Sequence, residues 1–406
     1  MDRAGLFQKL DRVILFCLCV LGIVLPMAHT ESIRSFSLGI PAGLWLIKCF
    51  LARRFLFRRT PVDLPILLFT AAAGLSVLTA VDPRYSLEEF VHEWLLGISL
   101  FYLAVNNLEP RRMKVFLGAL LLGNGIMVGY GIYDFFRAGG QLFDYQIRAK
   151  SLHSGFGTFS TYLVTVSPYL LAAAFAAGGA LRRGLLLGLL AVNFFALYLT
   201  HSRGAWVAAA LLLFLGGWKF LPRKAFLPLL AAAGVGFLIL APKGVLWHDA
   251  TMTQGSAAPG EKIETGDARR AVVLFTLGKM AENPFRMIGF GRRSFVKKYP
   301  DFHARYKGVL IWHAHNTFLD IALQTGVQGL FIFLFLLYKF LRTFRAGAEE
   351  GEDPWPRFIL LASFWMVIVF FVRNLTDDFF VDDSALLFWL LAGAGMAARG
   401  ERGKKE

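Results

Sequence analysis

The 406-residue chain is 56% hydrophobic and only 17% charged, with a mean hydropathy of +0.54, far from the make-up of soluble domains. Its apolar residues come in separate blocks, each long enough to cross a hydrocarbon core of about 30 Å as a helix, and without the alternation of barrel strands. An all-α polytopic membrane protein is expected, and the net charge of +15 reads as a topology signal that gives no case for nucleic acid.

In chain order, spans are expected near 12–29, 35–51, 62–80, 91–108, 113–136, 156–179, 184–200, 203–220, 224–241, 316–340, 357–374 and 383–398, twelve in all. Residues 1–241 thus hold nine spans, 242–315 form one long connection and 316–406 hold three more. Basic clusters such as Arg53, Arg54, Arg58 and Arg59 fall on one side, while the short loops of the other side carry few, among them Arg34, Arg84, Arg137, Arg148 and Lys150. Lys and Arg stay preferentially in the cytoplasm, so both termini are expected there. Arg3, Lys9 and Arg12 before an apolar block ending at Pro26-Met27-Ala28 have the outline of a signal peptide. Removing that block would invert the charge bias of every later loop, so it is kept as a span. Cys17, Cys19 and Cys49 fall within the first two spans and read as packing residues. Asn124, Tyr130 and Asn193 inside spans read as interhelical hydrogen-bonding groups.

The connection 242–315 is far longer than ordinary loops and holds twelve Lys or Arg on the outer face, against the topology rule, which points to an anionic partner. Asp267 can cap a helix running to about Glu282, closed by Pro284, with Arg269 and Arg270 in its first turn. Its apolar residues suit the membrane surface or the side of the bundle.

Three groupings carry chemistry. In Thr200-His201-Ser202-Arg203-Gly204-Ala205-Trp206 one span ends and the next begins, placing Arg203 at a helix N-terminus, where unpaired N–H groups, the macrodipole and a guanidinium fork suit phosphate. A snorkelling interfacial arginine is the plainer alternative. The Arg269-Arg270 pair invites the same two readings. His313, His315 and Asn316 sit at the entrance of the tenth span, with Asp320 one turn in on the same face. A neutral imidazole can take a proton from a hydroxyl near pH 7, and His315 is the candidate base; helix capping is the alternative. An acidic turn, Asp377, Asp378, Asp382 and Asp383, offers a carboxylate to orient His315 or hold an acceptor, or else forms a solvated turn paired with Arg373. Asp82, Arg84, Glu88, Glu89 and His92 carry no comparable signal. A zinc site from His303, His313 and His315 fits no familiar ligand spacing, so no metal is expected.

Ser202-Arg203-Gly204-Ala205-Trp206, Asn283-Pro284, Gly289-Phe290-Gly291, His315-Asn316-Thr317-Phe318-Leu319 and Gln324-Thr325-Gly326-Val327-Gln328-Gly329, in that order, resemble the bacterial O-antigen ligase and O-antigen polymerase superfamily, most nearly the lipopolysaccharide O-antigen ligases. The resemblance implies a metal-independent, inverting glycosyltransferase fold of its own class in the bacterial inner membrane, with its active site facing the periplasm and no cofactor. Its donor would be undecaprenyl-pyrophosphate-linked O-antigen and its acceptor lipid A-core oligosaccharide. It implies catalytic roles for Arg203, Arg269 and His315; Arg270, His313, Asn316 and Asp377 stand beside them as candidate substrate-binding residues. The register to Asn283-Pro284 favours Arg269 over Arg270, but Val273 stands where the family often has an aromatic, which leaves both open. An O-antigen polymerase or a protein O-oligosaccharyltransferase would share this chemistry. A secondary transporter would place its unusual polar residues near the membrane midplane, whereas here they cluster at one face.

Overall fold

The computed structural model describes residues 3–143, 146–220, 222–224, 226–228, 265–305, 312–350 and 354–400. The described chain is helical: α1 (Arg3–Val24), α2 (Glu31–Ala52), α3 (Asp63–Leu78), α4 (Pro83–Glu89), a single π-helical turn (Phe90–Leu95), α5 (Leu96–Asn107), α6 (Pro110–Arg137), α7 (Phe156–Ala176), α8 (Ala180–Leu199), α9 (Arg203–Phe220), α10 (Thr265–Glu282), α11 (Ser294–Lys298), α12 (Pro300–Arg305), α13 (Thr317–Glu350), α14 (Pro354–Arg373) and α15 (Asp382–Ala398). Among the described residues, six helices are long and apolar enough to cross a membrane: Glu31–Ala52, Arg112–Arg137, Phe156–Ala176, Ala180–Leu199, Thr317–Glu350 and Pro354–Arg373. Helices α1, α3, α5, α9 and α15 lie where the sequence places further spans. The ninth expected span lies outside the described residues from 229 on, as does the loop start to 264.

Helix α7 runs through the middle and is buried along most of its length, while α2 and α8 turn large apolar side chains such as Phe36, Phe50, Leu181 and Leu185 outward. An apolar exterior of this kind suits a lipid solvent. Small residues let helices approach: a Cβ at Gly393 would come within 2.5 Å of the Phe101 carbonyl, and one at Gly395 within 2.4 Å of Ser363 Oγ. Asn124 Nδ2 donates to Asn193 Oδ1 at 2.9 Å, and Asn193 Nδ2 donates to Ser167 Oγ at 2.8 Å, tying α6, α8 and α7. Inside the bundle these amides are interhelical fasteners, as expected.

Two boundaries differ from the sequence expectation, and both matter for the site. Helix α10 begins at Thr265, so Arg269 and Arg270 lie a turn beyond its start and the helix-terminus argument for them is lost. The expected single span at 316–340 runs instead to Glu350 and is broken at Gly326 (φ 75°, ψ 170°). A side chain there would strain the left-handed backbone, which glycine adopts freely. The segment after α10 takes up the break: Ile288 N donates to the Leu323 carbonyl at 3.1 Å and Val327 N to the Pro284 carbonyl at 2.9 Å. The long connection is thereby stitched to α13, and Val272, Ile288, Phe295 and Phe302 bury a small apolar core against Leu323. Gly289 and Gly291, both at positive φ, let it pass close to α3 and α4; a Cβ at Gly289 would fall 2.5 Å from Ala80 and Ser86. Lys297 pairs with Asp82, which also caps α4 by accepting from Tyr85 N at 3.0 Å. The early acidic loop therefore serves as a docking point for the connection.

Candidate active site

The site forms where α13 begins and α14 ends. Asn316 Oδ1 accepts from the N–H groups of Phe318 and Leu319 at 3.0 and 3.1 Å, capping α13, while its Nδ2 donates to the Leu375 carbonyl at 3.0 Å. Thr317 N donates to the Asn374 carbonyl at 3.1 Å, and the Thr317 hydroxyl lies 2.6 Å from Asp378 Oδ1 and 2.8 Å from Asn374 Oδ1. These bonds clamp the His313–Asn316 turn against the Asp377–Asp378 turn. His315 itself has a left-handed backbone (φ 52°), uncommon for a residue with a side chain and sustained here by that clamp.

Within this frame His315 Nδ1 lies 3.0 Å from Asp377 Oδ1, which also accepts from Asp378 N at 3.0 Å. A proton on Nδ1 donates to the carboxylate and leaves Nε2 as an acceptor, the tautomer a general base needs. Burial alone would raise the Asp377 carboxyl. The His315 hydrogen bond and the charges of His315, His313 and Arg373 override it, holding the group well below the usual carboxylate range. Asp377 stays ionised as an orienting group.

Behind this pair lies a second one. His313 is buried with Nδ1 3.0 Å from Asp320 Oδ2, and Ala314 N donates to Asp320 Oδ1 at 2.8 Å. Burial would lower the His313 pKa, but the charge and hydrogen bond of Asp320 raise it, so its Nδ1–H donates to that carboxylate. Arg292 reaches the same cluster: its NH2 donates to the Asp378 carbonyl at 2.7 Å and its Nε is 3.6 Å from the Asp378 carboxylate. His313, His315 and Asp377, and likewise His313, Asp320 and Asp378, place ligand atoms within 4.8 Å of one another. In the second set His313 faces Asp320 and Arg292 faces Asp378, so both carboxylates already have partners. The side chain of His303 lies outside the described residues.

The basic residues gather on the other flank of Asp377. Of the Arg269-Arg270 pair, it is Arg269 whose guanidinium comes within 3.9 Å of Asp377 Oδ2. Arg203 starts α9, as expected. Arg148, which the sequence counts only as an outer-loop charge, joins them: burial and then repulsion from Arg269 and Arg203 push its pKa down. Its Nε is buried without a hydrogen-bond partner among the described residues, and its guanidinium lies 4.5 Å over the Phe156 ring. Arg373, only 4% exposed, donates to Thr376 Oγ1 at 2.9 Å and lies over Phe379. Helices α9, α10 and α14 and the α6–α7 loop thus bring Arg203, Arg269, Arg373 and Arg148 into one group, in which Arg269 and Arg373 act on Asp377 and Arg148 feels Arg269 and Arg203. Such a grouping fits a multivalent anion.

An oriented histidine beside a group of guanidiniums, at one end of a polytopic helical bundle, is an arrangement suited to acid–base chemistry on an anionic ligand. The description "O-Antigen ligase" belongs to the family model that matches residues 186–334, the stretch holding Arg203, Arg269 and His315. A "Putative polysaccharide ligase" of Rickettsia felis is 26% identical over 298 residues, covering 68% of this chain and 67% of the relative. A protein of the same name from Rickettsia bellii is 28% identical over 118 residues, 23% of this chain and 29% of that relative, so the match spans less than a third of its length. By these matches the chain is similar to proteins of the O-antigen ligase superfamily.

Proposed function

We propose that the protein is a ligase-type membrane glycosyltransferase, moving O-antigen polysaccharide from undecaprenyl pyrophosphate to a sugar hydroxyl of lipid A-core oligosaccharide. The reaction takes place at the periplasmic face of the bacterial inner membrane, with both termini in the cytoplasm. The observation that carries the reading is the His315–Asp377 contact of 3.0 Å with Arg269 3.9 Å from the same carboxylate. In that arrangement His315 Nε2 takes the proton of the acceptor hydroxyl as its oxygen attacks the anomeric carbon. The bond from that carbon to the diphosphate oxygen breaks, and the electron pair leaves with the undecaprenyl diphosphate. Arg203, Arg269 and Arg148 face the charge that grows on this leaving group, and such preorganised donors are each worth a few kcal/mol of barrier. Attack from the side opposite the leaving group inverts the anomeric centre. Asp377 keeps the imidazole in its accepting tautomer, and Asn316 fixes the turn that presents it.

An O-antigen polymerase would use the same donor chemistry. Deleting the gene separates the two: lipid A-core bearing no O-antigen, with full-length polymer retained on the carrier lipid, is the outcome for a ligase. Lipid A-core bearing a single repeat unit would overturn the ligase reading in favour of a polymerase.

A further inference from the structure

Beside the histidine cluster lies a cavity of about 180 Å³ between the start of α7, the end of α1 and the turn into α15. His153, Thr158, Tyr162, Ser384, Asp382 and Arg292 supply its polar lining, and Phe379 and Leu387 an apolar patch. Arg292 and Phe379 belong to both this wall and the catalytic neighbourhood, since Arg292 binds Asp378 and Phe379 follows it in the chain. None of Arg148, Arg203, Arg269 or Arg373 lines it. We propose that this cavity is the subsite for one neutral sugar ring of the acceptor, the ring that presents its hydroxyl to His315. The assignment rests on the glycosyl-transfer reading above.

Three observations support it. His153 is 7% exposed, and apart from the pull of the Lys150 carbonyl its ring nitrogens are without a hydrogen-bond partner among the described residues, so the imidazole has capacity left at the cavity wall. Burial drives its pKa down to about 3, so the imidazole stays neutral and, with its N–H toward the Lys150 carbonyl, offers the other ring nitrogen to a hydroxyl as an acceptor. Asp383 pairs with Arg34 and Arg292 with Asp378, while Asp382 has no ion-pair partner among the described residues and lies near Glu89 and Glu93. What remains for a ligand is hydroxyl, imidazole, an accepting carboxylate and an apolar patch, the recognition set of a neutral polyol rather than of an anion. The volume lies below the range of drug-sized sites and suits a single ring rather than a lipid tail.

The test is saturation-transfer NMR on the full-length protein in lipid nanodiscs, with methyl α-D-glucopyranoside and methyl N-acetyl-β-D-glucosaminide as probes. The wild type should transfer saturation to at least one of them. Ser384→Trp, which fills the cavity from a position whose side chain makes no hydrogen bond among the described residues, and His153→Phe should each cut the signal about five-fold or more, the scale of one lost hydrogen bond. Arg203→Ala should keep it, and unchanged melting of every variant excludes misfolding as the cause. No signal from the wild type, or equal signals in wild type and Ser384→Trp, would overturn the proposal. Sugar binding without any glycosyl transfer would instead sink the reaction and leave the subsite standing.

Discussion

Both ends of the helical bundle bury charged side chains, and the contrast between them separates scaffolding from chemistry. Arg34, at the start of α2, meets Asp383 at the start of α15, which puts Lys48, near the other terminus of α2, at the opposite end. There Asp11 is held by Lys48 and by Arg112 at 3.0 Å, with Asn107 Oδ1 3.4 Å from the lysine: one carboxylate, two cations and an amide. At the site end His315, His313, Asp320, Asp377 and Asp378 are interlocked, while guanidinium nitrogens of Arg148 and Arg373 remain buried without hydrogen-bond partners among the described residues. A buried cation with spare donors is costly unless a ligand completes it. The first cluster is closed on itself; the second has capacity left for an anion.

That contrast can be broken at its strongest point first. His315→Ala should lower transfer about 10³-fold or more, and Asp377→Asn about 10²-fold or more, with wild-type melting in both. A normal rate in either variant, measured with purified protein and defined substrates, removes the base–orienter pair. Next come the arginines. Arg203→Ala and Arg269→Ala should each cost about 3 kcal/mol of barrier, roughly 10²-fold in rate, and Arg270→Ala far less. Equal losses at Arg269 and Arg270 would dissolve the distinction that the Asp377 contact draws.

Asp11→Asn tests the closed cluster. It should lower stability by about 3 kcal/mol, because the buried Lys48 loses its counter-charge while the half-buried Arg112 keeps only Glu109 at 3.9 Å, and the activity of the folded fraction should stay near wild type. Activity lost in proportion to the arginine variants would erase the difference between the two ends.

The smallest effect is a pH dependence. Because the folded His313 pKa is raised above the ordinary value of 6.5, its contribution to stability is fully present below that pH and fades as pH climbs through the raised value. Melting followed upward from pH 6 should therefore show a decline that His313→Asn flattens. The same decline in wild type and variant would assign it to another group.

Helix positions were legible because apolar blocks bounded by basic loops can do little else in a bilayer. The break at Gly326 was not, since a glycine inside an apolar run has the same appearance whether the helix continues or parts; only the docked 284–291 segment supplies the partners that make parting tolerable. His315, Arg203 and Arg269 were singled out through motif order, and the acidic turn was suspected of holding a carboxylate that orients His315; Asp377 Oδ1 lies 3.0 Å from its Nδ1. His313 Nδ1 lies against the Asp320 carboxylate, and the Asn316 side-chain oxygen caps α13. Arg148, Arg292 and His153 were missed as site residues because their roles arise from contacts between elements far apart in sequence. The one signal for Arg148 was its place, with Lys150, among the few basic residues of a short loop on the side that the charge rule keeps poor in them.

The most direct test of the central claim, that fixed guanidiniums steady a departing diphosphate while His315 takes the acceptor's proton, is a transfer assay with purified protein, undecaprenyl-pyrophosphate-linked donor and lipid A-core in excess chelator. Full wild-type turnover is expected, abolished in His315→Ala and in the Arg203→Ala, Arg269→Ala double variant. Turnover that requires a divalent cation, or that survives neutralising both arginines, would contradict it.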